Sequence, residues 1–174
     1  MESKIYGVIM AGGGGTRFWP LSRRCKPKQL LNLSGRDLLV NESIDRLSRV
    51  VDKSDMFIVT SAAHASCMLK ATKGRLKSAN VLIEPTSRNT AACIGYAAMK
   101  LMKKYGDGVM AITPSDAAIK DTDKFAEVLL KAAETAEETD KLVTIGVTPT
   151  FPATGYGYIH YRRNSRSEAK KVEK

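Results

Sequence analysis

The sequence predicts an α/β domain in which helices cover both faces of a mainly parallel sheet, as a three-layer αβα sandwich. Short apolar runs rich in β-branched residues alternate with segments of helical period along the chain. Runs that are apolar throughout are typical of strands buried on both faces, and crossover helices provide that cover in parallel sheets. We find no internal repeat and no linker, so residues 1–174 are expected to form one domain.

Five strand-length runs are separated by four helical segments. The predicted strands are residues 5–10, 56–60, 80–83, 109–113 and 142–147. Two helices are predicted at residues 38–51 and 62–72. A third is expected to be capped by Asn89 or Thr90 and to end at Tyr105, and a fourth to be capped by Thr122 or Asp123 and to continue beyond residue 129. Residues 156–161 look like a further strand, whereas 162–174 are mostly charged and polar, as in a solvated edge strand or a frayed end.

The composition favours an anionic ligand and argues against several classes of site. The chain has 28 Lys and Arg against 18 Asp and Glu, a formal charge of +10, and a mean hydropathy of -0.22. Three cysteines without a C-x-x-C pair and only two histidines fit neither a zinc cluster nor a disulfide framework. No apolar stretch approaches the roughly 20 residues of a membrane span. We therefore expect a cytoplasmic protein that does not associate with membranes.

A glycine run directly follows the first predicted strand, in the order Ala11, Gly12, Gly13, Gly14, Gly15, Thr16, Arg17. Glycine lets the backbone turn sharply and brings N–H groups against a ligand at the carboxyl edge of the sheet. The spacing fits neither a dinucleotide fingerprint nor a P-loop, because position 17 is not glycine and no Gly-Lys-Ser/Thr closes the run. We expect this loop to bind phosphate, with a merely flexible turn as the alternative.

A basic segment comes next and ends in Pro27-Lys28-Gln29. Guanidinium groups suit bidentate contacts to phosphate, and a lysine is a compact charge that stabilises a phosphoryl group in its transition state. Because the segment follows the glycine loop, we interpret it as part of the same site rather than as a solvated face. We expect Phe18, Trp19 and Leu21 to pack rather than to bind ligand.

These motifs closely resemble the signature of the sugar-1-phosphate nucleotidylyltransferases. The segment AGGGGTRFWPLSRRCKPKQLL carries the likeness, and its FWPLSR form with PKQ is similar to the mannose-1-phosphate guanylyltransferase branch. The resemblance continues through EPTSRNTA, PSD, GVTPT and TGYGYI, which together reach almost the end of the chain. It implies a Rossmann-like fold of the nucleotide-diphospho-sugar transferase type. It also implies transfer of GMP from GTP to mannose 1-phosphate, giving GDP-mannose and pyrophosphate with Mg²⁺ as cofactor.

The resemblance also assigns roles to residues. The glycine loop and Arg17 would hold the triphosphate, Lys28 would neutralise the approaching phosphates, and Asp116 would bind Mg²⁺. The residues expected to bind the nucleotide are Ala11, Gly12, Gly13, Gly14, Gly15, Thr16, Glu84, Arg88, Asn89 and Thr90. Those expected to bind the sugar are Gly155, Tyr156 and Gly157.

Each of those assignments has a structural alternative. Asp116 follows a strand, where a turn or cap residue would also stand. Glu84 and Asn89 border a strand end and a helix start, which Pro85 and a cap would explain equally well. The glycines around Tyr156 are also compatible with a hairpin or a bulge.

The chain departs from the family in two respects. Relatives commonly have histidine after the aspartate, where Ala117 stands here, and they are about twice as long. We therefore expect an N-terminal portion of the catalytic domain that is inactive by itself. Another sugar nucleotidylyltransferase and a non-catalytic nucleotide-binding module remain alternatives, and assembly into homo-oligomers stays open. Nucleic-acid binding is disfavoured because the basic residues lack interleaved aromatic residues.

Overall fold

A computed structural model describes residues 4–13, 18–23, 26–162 and 171–172 of the chain. Its centre is a four-stranded parallel sheet with the order β3-β2-β1-β4. The strands are β1 (Ile5–Met10), β2 (Met56–Ser61), β3 (Val81–Glu84) and β4 (Val109–Pro114). These bounds agree within one residue with the first four predicted strands, and the predicted parallel sheet is confirmed.

The register brings the carboxyl ends of the central strands to one edge. Met10, the last residue of β1, lies opposite Val59 of β2 and Pro114 of β4. The segments that follow β1 and β4 therefore emerge side by side. In open α/β sheets this edge is where ligands bind.

In the described part of the chain, four α-helices pack on the two faces of the sheet. They are α1 (Leu39–Leu47), α2 (Ala62–Ala71), α3 (Asn89–Tyr105) and α4 (Thr122–Thr139). One core joins α1, α2 and α4 to alternate strand residues such as Ile9 and Ile58. The other core joins α3 to the intervening residues, such as Val8 and Phe57. Because side chains alternate across a strand, both faces of each central strand are apolar, as the sequence predicts.

The predicted helix caps are wrong by one or two positions, since the N-caps are Arg88 for α3 and Asp121 for α4. Asp121, not Thr122 or Asp123, caps α4, since its side chain accepts a hydrogen bond of 2.8 Å from the backbone N–H of Lys124. Asn89 does not cap α3 but is its first residue, with a φ of 63°. An Asn tolerates this left-handed conformation better than most residues do, so the turn into α3 is selective for residue type.

The predicted fifth strand does not form. Residues 142–147 are irregular, and Leu142 and Val147 are almost fully exposed. A strand needs a backbone partner as well as β-branched residues, and in the described structure this segment has none. Residues 156–160 are likewise irregular. Among the residues that the structure describes after 160, two short strands, β5 (Tyr161–Arg162) and β6 (Lys171–Val172), pair antiparallel with each other.

Arg75, which follows α2, connects the end of that helix to the start of α1 through two ion pairs. Its guanidinium pairs with Asp37, just before α1, at 2.6 Å and with Asp45 of α1 at 2.5 Å. The pKa of Asp37 is held below its usual range, mainly by a hydrogen bond from the Asn41 side chain and then by one from the backbone N–H of Leu38. The loop that leads into α1 is therefore stabilised by a charged carboxylate.

The described helices include none with both the length and the apolar character that crossing a lipid bilayer requires.

Candidate active site

The glycine loop begins at the carboxyl end of β1, and its first residue is fixed by β2. Ala11 is buried, donates its N–H to the carbonyl of Val59 at 2.8 Å and accepts from the hydroxyl of Thr60 at 3.2 Å. Both of its peptide groups are therefore engaged within the fold. Gly13 adopts a φ of 89°, a conformation that favours glycine. The predicted residues Gly14, Gly15, Thr16 and Arg17 lie outside the described residues.

Gln29 holds the start of this loop from the interior. It lies in a 3₁₀ turn, Lys28–Leu30, and its side chain is 0% exposed. Its amide nitrogen donates to the carbonyl of Gly12 at 2.6 Å and, at 3.4 Å, to that of Gly13. The amide oxygen is buried without a partner among the described residues. A buried amide that donates to the loop carbonyls restrains the path of the loop backbone.

The neighbouring residue, Lys28, reaches to the end of β4. Its ammonium group forms an ion pair with Asp116, which lies in the turn after β4. The two side chains are 25% and 27% exposed, so the pair borders solvent. The 3₁₀ turn thus contacts both emerging segments, with Gln29 on the glycine loop and Lys28 on the β4 turn. The structure therefore brings together four predicted residues, Gly12, Gly13, Lys28 and Asp116.

The side chain of Glu84 lies against the glycine loop at Gly12. It ends β3, is 6% exposed and accepts a hydrogen bond of 2.7 Å from the hydroxyl of Ser87. A β-carbon built on Gly12 would lie 3.2 Å from the same carboxylate oxygen, closer than most side chains tolerate. Burial, and then the charge of Glu84, raise the pKa of the Cys93 thiol behind it. The close approach of this buried carboxylate thus favours glycine at position 12.

The other predicted binding residues are exposed. Arg88, Asn89 and Thr90 lie on the surface at the start of α3. Tyr156 is 76% exposed in the irregular segment, and open space surrounds Gly155 and Gly157. Their roles toward base and sugar stay predictions.

The expected packing of Trp19 and Leu21 is wrong. In the described structure Trp19 is 77% exposed and Leu21 is 61% exposed, beside the glycine loop in sequence. Their apolar character alone gave no indication of exposure, because no helical or strand period runs through this segment.

Sequence reasoning assigned no role to Gln29. The signal was present in the Pro-Lys-Gln motif, but a glutamine after a lysine looks like a solvated surface residue. What reveals its role is its complete burial.

Metal binding at this edge would depend on few protein oxygens. In the part of the chain that the structure describes, no three His, Cys, Asp or Glu side chains come together as a metal cluster. Asp116 offers a partly exposed carboxylate next to the ammonium group of Lys28. Such a donor suits an ion that takes its remaining ligands from water or from a bound anion.

Two comparisons relate this chain to characterised sequences. A mannose-1-phosphate guanylyltransferase from Salmonella montevideo is 39% identical over 153 residues, covering 87% of this chain and 32% of that protein. The protein of the same name from Escherichia coli K12 is 38% identical over 170 residues, covering 96% of this chain and 35% of that protein. The chain spans about a third of the length of these curated relatives.

A solved structure from Thermus thermophilus, described as a mannose-1-phosphate geranyltransferase, confirms the αβα fold. It superimposes with a TM-score of 0.86 at 30% identity, covering 98% of this chain and 49% of that one. The sequence profile of the nucleotidyl transferase family matches residues 6–174, which is nearly the whole chain. The site at the carboxyl edge of β1 and β4 is thus found in a chain that belongs to the nucleotidyl transferase family.

Proposed function

We propose that this chain carries the nucleotide site of an enzyme that transfers GMP from GTP to mannose 1-phosphate. The products are GDP-mannose and pyrophosphate. Relatives named mannose-1-phosphate guanylyltransferase, at 38% and 39% identity, support the choice of substrates. Family membership supports nucleotidyl transfer as the reaction type.

The observation that carries the proposal is the contact of one 3₁₀ turn with both segments at the ligand edge. Gln29 pins the glycine loop after β1, and Lys28 pairs with Asp116 after β4. A cation and a carboxylate are thereby fixed next to a backbone turn suited to phosphate. Catalysis of phosphoryl-type transfer consists mostly of positioning and charge stabilisation, and these are the functions such an arrangement supplies.

The reaction needs no covalent intermediate with the protein. A phosphate oxygen of mannose 1-phosphate attacks the α-phosphorus of GTP in line, the new P–O bond forms, and the bond to the β-phosphate oxygen breaks. Pyrophosphate leaves with the electron pair of that bond. In our proposal the glycine loop and Arg17 orient the triphosphate, while Lys28 stabilises the negative charge that accumulates between the two phosphates.

Mg²⁺ is the cofactor in this proposal, and the donor set at the β4 turn fits it. Asp116 would hold the ion together with phosphate oxygens and water, since Mg²⁺ keeps several waters and is commonly bound through one or two carboxylates plus phosphates. When bound, the ion neutralises phosphate charge. Lys28 would then shift from Asp116 towards the phosphates, a short movement for a flexible side chain.

Base and sugar recognition are assigned to the remaining predicted residues. Guanine donates hydrogen bonds from N1 and N2, so a carboxylate or carbonyl distinguishes it from adenine. We assign this region to Glu84 and the start of α3, with Arg88, Asn89 and Thr90. For the sugar, the proposed contacts are Gly155, Tyr156 and Gly157, where a tyrosine packs against a hexose or donates a hydrogen bond to it.

A substrate panel tests the proposal with the longest natural form of the protein that carries these residues. We expect GDP-mannose and pyrophosphate in equal amounts from GTP and mannose 1-phosphate, in preference to ATP, UTP or glucose 1-phosphate. Lys28→Met should lower kcat/KM about 100-fold, the scale of losing one charge stabiliser. Lys124→Met is the matched control, because Lys124 also pairs with a carboxylate, at 2.7 Å on the exposed side of α4. Nucleotide binding without product would favour a regulatory module, and a preference for another nucleotide or sugar would identify a different transferase.

A further inference from the structure

The residue before Asp116 is fixed on both sides of its α-carbon. Ser115 is 1% exposed, and its N–H donates to the carbonyl of Met10 at 3.1 Å. Its carbonyl accepts from the hydroxyl of Ser43 at 3.2 Å in a buried contact. That carbonyl belongs to the same planar peptide unit as the nitrogen of Asp116. Fixing it therefore fixes the position of the Asp116 α-carbon, from which the carboxylate side chain extends.

The hydroxyl that makes this contact is itself held by a buried cation. Arg46, one turn along α1 from Ser43, donates from its guanidinium to the Ser43 hydroxyl at 3.0 Å. The guanidinium also lies over the ring of Phe125 in α4, 5.5 Å from its centroid. An oxygen that accepts from a charged donor becomes a stronger donor in turn. A hydrogen-bond chain thus runs from Arg46 through Ser43 to the Ser115–Asp116 peptide.

Arg46 is costly for the fold in this position. It is 5% exposed, and among the described residues it forms no ion pair with a carboxylate. Burial lowers the pKa of its guanidinium, an effect that the charge of Glu42 opposes. A buried charge without an ion-pair partner carries a desolvation cost that hydrogen bonds offset only in part. A buried arginine that contacts one hydroxyl and one ring is therefore poorly explained by stability alone.

We propose that Ser43 and Arg46 are positioning residues that orient the Asp116 carboxylate through the Ser115–Asp116 peptide. Neither residue touches the nucleotide. They act through the backbone by holding the β4 turn against β1, so that Asp116 stays within reach of Lys28. This inference rests on the proposed function, because it concerns how Asp116 is presented to Mg²⁺ and phosphate. It assigns a role to two side chains of α1 that no sequence motif includes.

Matched variants on the same helix test the proposal. Ser43→Ala removes the donor to Ser115, and Ser43→Thr keeps a hydroxyl in its place. Ser48→Ala is the control, because Ser48 also bonds a backbone carbonyl, that of Asp45 at 2.7 Å, but at an exposed position. Each variant of the 174-residue chain is titrated with GTP by calorimetry over a series of Mg²⁺ concentrations and in EDTA. Amide hydrogen exchange at Ser115 is measured without ligand.

Ser43→Ala should raise the Mg²⁺ concentration for half-maximal enhancement of GTP binding at least threefold, and leave GTP affinity in EDTA within twofold. Ser43→Thr should restore the Mg²⁺ dependence, and Ser48→Ala should not change it. Arg46→Met, which keeps the buried volume, should shift the Mg²⁺ dependence in the same direction as Ser43→Ala.

Hydrogen exchange separates this proposal from the proposed function. We expect Ser115 to exchange at least threefold faster in Ser43→Ala and at the wild-type rate in Ser48→Ala. If wild-type protein fails to bind GTP while exchange follows this pattern, the nucleotide assignment is wrong and the anchoring of the turn stands. The positioning role is overturned if Ser43→Ala leaves both the exchange at Ser115 and the Mg²⁺ dependence unchanged. It is also overturned if affinity in EDTA falls as much as affinity in Mg²⁺.

Discussion

Replacing Gln29 by methionine should weaken GTP binding while leaving the fold nearly as stable as before. Methionine matches glutamine in length and flexibility, so it fills the same buried space without a cavity. It removes the amide N–H groups that hold the carbonyls of Gly12 and Gly13. The perturbation is therefore confined to the attachment of the loop.

Two opposing contributions set the change in stability. Leaving the Gly12 carbonyl without its donor costs about 1–3 kcal/mol if the group is cut off from water, and less at this half-exposed position. The same substitution removes the amide oxygen of Gln29, which is buried without a partner among the described residues and carries a penalty of similar size. The free energy of unfolding should therefore fall by about 1 kcal/mol or less.

Binding has no such compensation. Without the amide, the backbone of Gly12, which accepts the shorter of the two hydrogen bonds, must be ordered when the phosphates bind, and fixing one residue's backbone costs about 1–2 kcal/mol. Since about 1.4 kcal/mol corresponds to a tenfold change in affinity, GTP should bind about 10-fold more weakly. Calorimetry gives the affinity, and urea denaturation gives the stability.

Leu30→Met is the control for Gln29→Met. Leu30 is buried in the same 3₁₀ turn, and methionine conserves its volume without altering a polar contact. We expect its GTP affinity to equal that of the wild type. Normal GTP affinity in Gln29→Met would refute the reasoning, as would a loss of stability above about 3 kcal/mol, which exceeds the cost assigned to one unsatisfied carbonyl.

Three further predictions concern the charges and the backbone. Lys28→Met should weaken GTP binding about 10-fold or more in calorimetry, because it removes a charged phosphate contact. The free energy of unfolding should change by less than about 1 kcal/mol, because partly exposed ion pairs contribute little to stability, and a large loss of stability would contradict a phosphate-binding role. Gly95→Ala should stabilise the chain by about 0.5–1 kcal/mol, since open space surrounds this helical glycine. Gly108→Ala should destabilise it, because the new β-carbon would lie 2.7 Å from the carbonyl of Lys4, and thermal denaturation compares the two variants. Because the pKa of Asp37 is lowered in the folded state, its carboxylate stabilises the fold at pH values above its unfolded pKa of 3.8, and this contribution is lost as the pH falls through the folded pKa. Asp37→Asn should therefore lose less stability than the wild type on acidification below about pH 4, and an unchanged acid profile would contradict this.

Local sequence patterns predict the sheet core well because its strands are determined by continuous apolar runs. β1 and β2 are buried on both faces, so a run such as 5–10 has only one reasonable interpretation. Residues 142–147 carry a similar pattern but form no strand. The difference lies in pairing, because strand formation depends on a neighbouring edge that a single segment does not encode.

The candidate site is predictable to the extent that it is built from residue types with special chemistry. The glycine loop, Lys28 and Asp116 are recognisable by motif, and the structure brings their described members together. The structural roles of Gln29, Ser43 and Arg46 are not recognisable in this way. Their importance comes from burial and from contacts between residues as far apart as Ser43 and Ser115, which follow from the tertiary fold alone.

In the proposed function, Asp116 and the glycine loop form one Mg²⁺-dependent triphosphate site. Its most direct test is a calorimetric titration of GTP into the 174-residue chain and into Asp116→Asn, each with Mg²⁺ and with EDTA. We predict that Mg²⁺ tightens GTP binding to the wild type and not to Asp116→Asn, while the two proteins bind GTP similarly in EDTA. The same Mg²⁺ enhancement in both proteins would contradict the claim.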